Sequence, residues 1–482
     1  MIKNNSKFFI ITISITILSF YIYPNNKLDE FYNDQAKQYL LLNDLEKSMN
    51  YVNKALKLNQ NNASMYYTRA LIYIKKDDYN KALTDLNKAI EINPEYDSAY
   101  LKRGEILDSF KNTAKALDDY NKVIDLTTNN YLAHYYRGII YTNNGYYDLA
   151  LKDLNNVVRL NPGFYEGYIT RGFIYFKKEI YDNALKDLYK AIELNNKSYD
   201  AYVYRGLIFY KLKKYNKAIS DYNKAIRLDP KQSRAYLNRI QIYIHNNNYS
   251  KAFKDLNYII GSDPNSSFPY IYRGNLYLIK EDYDKAIEDF NQAIKLDPGN
   301  VKSYISLGIL YYQKQIYEKS LDNFNKAIKL NSDDQEAYSQ RSKVYIKLSL
   351  YDEALKDYEK LMALNPKDPY PYFYHLIYSY KISNKRYEDS LKILKDKLFF
   401  FKDNDWNFIL TRFLTGGVDK DYLLQKAGND KEKSSKAYYY IGEMYLFNND
   451  KIKAKEYFEK CIESKTTNFY EYELAETELN NL

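Results

Sequence analysis

A single cysteine, Cys461, in 482 residues rules out an internal disulfide and any cysteine-rich metal site. Histidine is almost as scarce. His134, His245 and His375 stand far apart, each inside a helical pattern and not paired at ligand spacing, so they read as structural or surface groups and no metal is expected. Ten prolines and fifteen glycines are too few for a disordered or collagen-like chain, and 45% hydrophobic with 28% charged residues is the balance of a folded one. No basic stripe emerges either. The net charge of +9 is the remainder of 71 basic and 62 acidic residues interleaved along the sequence, which argues against nucleic acid as a partner. The carboxy-terminal region offers no nucleophile elbow, phosphate-cradling glycine loop or paired carboxylates, so neither an enzyme nor a cofactor is indicated.

What the sequence has instead is repetition. Arg-Gly recurs at Arg103-Gly104, Arg137-Gly138, Arg171-Gly172, Arg205-Gly206 and Arg273-Gly274, and the glycines at 104, 138, 172 and 206 are 34 apart. Each unit has two helical halves. Tyr202, Arg205, Gly206 and Phe209 share one face of the first; Ala218, Tyr222 and Ala225 share one face of the second, which Pro230 stops. Prolines 94, 162, 230, 264, 298 and 366 close units, because proline cannot continue a helix. This pattern resembles the tetratricopeptide repeat. The resemblance implies an all-α fold, a right-handed superhelical solenoid of antiparallel helix pairs. It covers ten units over residues 29–368, followed by an irregular helical segment (369–434) and a degenerate unit with a capping helix (435–482), where Gly442, Tyr445, Ala454 and Phe458 fall in the expected slots.

Arg205 shares its face with Tyr202 and Phe209, so it points into the packing and needs a counter-charge. Asp221 stands sixteen residues on, in the second helix. The same interval joins Arg69 to Asp85, Arg103 to Asp119, Arg137 to Asp153, Arg171 to Asp187, Arg239 to Asp255, Arg273 to Asp289 and Arg341 to Asp357. Where the arginine is lost the aspartate goes with it: Leu307 is matched by Asn323, Gln35 by Tyr51 and Ile441 by Tyr457. Loss in couples is the behaviour of a structural ion pair inside each repeat.

The other face of the first helices is also apolar. It carries Tyr135 and Ile139, then Ile169, Phe173 and Phe176, then Val203, Leu207 and Tyr210, then Leu237, then Ile271 and Leu278, and then Ile305, Ile309 and Tyr312. A helix apolar on both faces is buried on both. By the resemblance, first helices line the concave wall that binds peptides, so these residues form the expected partner groove. Other proteins or peptides fill it, or the chain's own carboxy-terminal segment, or a second copy in a homodimer. The carboxylate clamp known in the family is not expected, since of its Lys, Asn and Arg only Asn238 is matched.

Two segments bear on location. Lys3 and Lys7 precede an apolar run from Phe8 to Tyr23 that Pro24 ends, so residues 1–24 read as a signal peptide or an amino-terminal membrane anchor placing the chain in the cell envelope, periplasm or surface. From about Asn365 onward the sequence resembles bacterial envelope adaptors of the NlpI lipoprotein type, through Trp406 and Asn407, Tyr438 to Gly442, and Asn468, Phe469, Glu471, Glu478 and Leu479. That resemblance implies a non-catalytic scaffold tethered at the envelope, although the lipid-attachment cysteine is absent and the array is longer. The alternatives are a soluble cytoplasmic assembly factor and an enzyme whose repeats recruit its substrate.

Overall fold

The computed structural model describes residues 27–398, 405–464 and 470–482 and divides into two compact units that meet between Ile242 and Tyr243. Among the described residues every regular element is an α-helix, 27 in all. From Leu28 to Leu364 they form ten pairs.

One pair shows why the sequence folds this way. Helix Tyr199–Lys211 is opened by Ser198, whose side chain accepts the Ala201 N–H. It closes on a left-handed residue, Lys213 (φ 57°), with Lys213 N bonded to Tyr210 O at 2.9 Å and Lys214 N to Phe209 O at 2.7 Å. This corner returns the chain directly into helix Tyr215–Leu228. The second helix stops at Asp229, held extended by the following Pro230. The corner recurs at an interval of 34: Asn43, Asp77, Lys111, Glu179, Lys213, Asn247, Glu281, Gln315 and Ser349 all have positive φ, and Gly145 fills the slot between Lys111 and Glu179. All are exposed.

Within a pair, the glycine of the first helix receives a large side chain of the second. A Cβ on Gly206 would stand 2.5 Å from the Tyr222 ring, whereas one on Gly172 would meet the more yielding Leu188 at 3.2 Å. Ala218 and Ala225 are fully buried beside Tyr222. Close approach of the two helices therefore depends on a small residue facing an aromatic one.

Beyond Leu364, helices Tyr370–Ile382 and Asn384–Asp396 are joined through Ser383 alone. This is a shorter connection than in the ten pairs. Short helices Trp406–Leu414 and Lys420–Ala427 follow, then the pair Lys431–Phe447 and Lys451–Glu463, then a closing helix Tyr470–Asn481. Phe373, Tyr378, Tyr439, Tyr440 and Phe458 build one aromatic core beneath them.

Residues 1–24, the expected signal or anchor, lie outside the described residues. The envelope location is corrected here: among the described residues no helix is long and apolar enough to cross a membrane, and the amino-terminal anchoring is unsupported.

Candidate functional site

The arginines are engaged inside the array. Arg69, Arg103, Arg137, Arg171, Arg205, Arg273 and Arg341 each grip the aspartate sixteen residues on with two parallel N–H bonds; for Arg205 these run from Nε to Asp221 Oδ2 at 2.8 Å and from Nη2 to Oδ1 at 2.7 Å. Arg239 and Asp255 belong to different units. Burial is the largest single influence on Arg205 and lowers its pKa, but the Asp221 hydrogen bonds and charge, with smaller contributions from Tyr189 and Tyr202, together leave the guanidinium above its ordinary value.

A third contact went unread in the sequence. The free Nη1 of each arginine reaches back to an asparagine of the preceding pair: Arg103 to Asn87 at 2.7 Å, Arg137 to Asn121 at 2.7 Å, Arg171 to Asn155 at 2.8 Å, Arg273 to Asn257 at 2.8 Å and Arg341 to Asn325 at 2.6 Å. Arg205 finds Tyr189 in that slot and lies over its ring, 4.8 Å from the centroid. In the next slot of the series stands His375, with Nε2 3.6 Å from Glu359. The arginine is thus a latch between repeats as well as within one.

In the first unit, helix 131–143 contacts 165–177, which contacts 199–211, so the first helices form a continuous wall. This wall holds an open cavity of about 470 Å³. Four expected groove residues line it, Tyr135, Ile139, Ile169 and Phe173, together with Tyr165, Glu166, Tyr199, Asp200 and Tyr204, which sequence reasoning missed. Tyr204 packs on Phe173 with ring centroids 5.1 Å apart.

The remaining groove residues are differently placed. Val203 is fully enclosed, packed among Tyr199, Tyr202 and Tyr222, and is core. Leu207 is half-buried against the same cluster, and Leu237 is half-buried on helix 233–245. Phe176, Tyr210 and Tyr312 turn toward the tyrosine that begins their own second helix, Tyr181, Tyr215 and Tyr317, at 6.3, 5.8 and 5.9 Å. In the second unit Ile271 and Ile305 are buried beneath a smaller cavity of about 250 Å³, and Leu278 and Ile309 pack onto internal clusters.

Farther along the second unit, the chain's own closing helix lies on the first helices. Glu473 accepts from the Tyr312 hydroxyl, Lys347 Nζ donates to Thr477 at 2.6 Å, Lys381 pairs with Glu478, and Tyr374 donates to Glu471 at 3.0 Å. Lys343, at the position equivalent to Phe173, Leu207 and Ile309, sits over Tyr470 at 4.7 Å. The wall changes from apolar to cationic where it meets this acidic helix. Tyr312 is therefore occupied from within.

Comparison with known proteins follows this geometry. Models of the tetratricopeptide repeat match residues 29–62, 63–96, 165–198, 199–232, 301–334, 335–368 and 435–468, and a TPR repeat model matches 274–315. They place one more repeat in the carboxy-terminal quarter but do not carry its NlpI-type likeness. No curated protein matches the chain. Among solved structures it is similar to yeast Tom70 (16% identity, 85% of this chain and 99% of that one, TM-score 0.48). It is also similar to a tetratricopeptide repeat protein from Parabacteroides merdae (22%, 50% and 94%, TM-score 0.43) and to YrrB, described as a TPR protein with an unusual peptide-binding site (23%, 38% and 95%, TM-score 0.34). Likeness of this degree says nothing of function.

Proposed function

Because this chain belongs to the tetratricopeptide-repeat proteins, we propose that it is a non-catalytic scaffold that holds a partner polypeptide on the first-helix wall of its first unit. The observation that carries this reading is the open, aromatic cavity at Tyr135, Phe173 and Tyr204, on a wall whose arginines are already committed to structure. Aromatic side chains in a concave site give contact area at low entropic expense, the economy of a peptide-binding surface. In the second unit the closing helix takes the equivalent place at Tyr312, Lys343 and Lys347, which supports the wall's capacity to bind a helix or an extended segment.

The test is photocrosslinking from a benzoylphenylalanine placed at position 173 in living cells, beside a Phe173→Glu variant. Discrete polypeptide adducts from the first, with lost partner capture but unchanged helicity in the second, are expected. A folded protein that yields no adduct overturns the reading.

A further inference from the structure

The cavity in the first unit is not simply apolar. Two carboxylates, Glu166 and Asp200, lie in its lining among Tyr165, Phe173, Tyr199 and Tyr204, against one exposed lysine, Lys197. The chain itself shows what this combination holds. Arg234 rests with its guanidinium carbon 5.6 Å from the Tyr199 centroid and 5.1 Å from that of Tyr204, and is paired with Asp200. Lys177 likewise lies over Phe173 at 5.4 Å. Aromatic faces carry negative charge density, and a carboxylate beside them supplies a charge-assisted acceptor, so a cation is the natural guest.

Repeat register locates an earlier aromatic–carboxylate couple, in which Thr170 stands where the later cradle has its second ring, Tyr204. Subtracting 34 from Tyr199 and Asp200 gives Tyr165 and Glu166, the same aromatic–carboxylate couple one repeat earlier. Subtracting 34 from Arg234 gives Asp200, so the residue that fills the later cradle has no counterpart in the earlier one. Glu166 forms no salt bridge among the described residues, its carboxylate meets the Tyr165 hydroxyl, and it opens on the cavity. Resting on the scaffold reading above, we infer that the cavity takes a basic side chain of the partner, an arginine or lysine. Its cationic head meets Glu166 and the Tyr165 ring, and its methylene stem lies along Ile169 and Phe173. An acidic or carboxylate-bearing residue is rejected here, because it would face the Glu166 carboxylate while Asp200 already holds Arg234.

The experiment uses the full chain and four dodecapeptide pools, randomised except for one central position fixed as arginine, citrulline, norleucine or glutamate, read by fluorescence anisotropy. Citrulline keeps the shape of arginine without its charge. The arginine pool is expected to bind about tenfold more tightly than the citrulline pool, the size of one partly desolvated cation–π and charge-assisted contact. Glu166→Gln should bring the two pools within about twofold by weakening only the arginine pool. Phe173→Glu should weaken the citrulline and norleucine pools. If arginine and citrulline pools bind alike to the wild type while Phe173→Glu still abolishes both, the cation inference falls and the groove stands. If no pool binds, both fall. If Glu166→Gln leaves the arginine preference intact, Glu166 is not the acceptor and the assignment is overturned.

Discussion

Removing Arg205 alone strands a carboxylate. Asp221 is only 5% exposed, so Arg205→Leu leaves a buried charge without its two hydrogen bonds and should destabilise by about 3 kcal/mol, while Arg205→Leu with Asp221→Asn should lose about 1 kcal/mol. Equal melting temperatures for the two would show that the couple contributes nothing as a couple. The chain carries a worked example in Leu307 and Asn323, both buried, where Asn323 turns back to donate to the Lys319 carbonyl at 2.8 Å. Glycine is tested in the same way. Gly206→Ala drives a methyl into a rigid ring and should destabilise by about 2 kcal/mol, but Gly172→Ala, facing a leucine with rotamer freedom, by under about 1 kcal/mol. Chemical denaturation of the two variants reads the difference. The arginine–aspartate interval was readable because both partners change together; the asparagine latch was not, since asparagine is common everywhere in this sequence and attracts no notice in any one slot. His375 in the arginine series escaped for another reason: Leu391 stands sixteen residues on, and because the connection is shorter its second-helix partner is Ser390, 2.9 Å from Nδ1, which breaks the interval that marks the others.

At the scale of elements, helical periodicity selects a face but not a depth along it. Phe173 and Phe176 lie within one turn of each other, yet only Phe173 lines the cavity, because Phe176 has reached the level at which the second helix begins with Tyr181. That distinction needs the corner's geometry, and the aromatic residues at first-helix starts, Tyr165 and Tyr199, become visible as a lining only once neighbouring helices are set side by side. The closing helix brings an electrostatic consequence. Glu443 is fully buried near the Lys381–Glu478 pair and the Tyr439 hydroxyl, and burial lifts its carboxyl from 4.5 to about 7 despite the attraction of Lys381. A carboxyl raised in the folded state keeps its proton where the unfolded chain has released it, so this part of the stability is complete below the ordinary value and lost as pH rises through about 7. Thermal melts should show a loss on the order of 2 kcal/mol from about pH 5 to about pH 8 in the wild type that Glu443→Gln abolishes. His375 works in the opposite direction: burial lowers its pKa, so protonation in acid favours unfolding.

For the whole molecule, stability in a tandem array is a sum of units and of junctions between neighbours, so small local changes remain local and add. The left-handed corners make this measurable. Lysine, glutamate or glutamine at φ near 57° to 60° costs about 1 kcal/mol relative to glycine, and these corners are exposed, so no packing is disturbed by the exchange. Glu179→Gly and Lys213→Gly should each raise stability by about 0.5 to 1 kcal/mol, and together by the sum, in urea titrations that also check for an unchanged helical signal. Distributed at a constant stride, these corners turn the chain into a ruler for its own unravelling. Relieving Lys111, then Glu281, then Gln315 in separate variants strengthens one known rung at a time, and whichever relief delays the earliest loss of structure identifies the rung that gives way first.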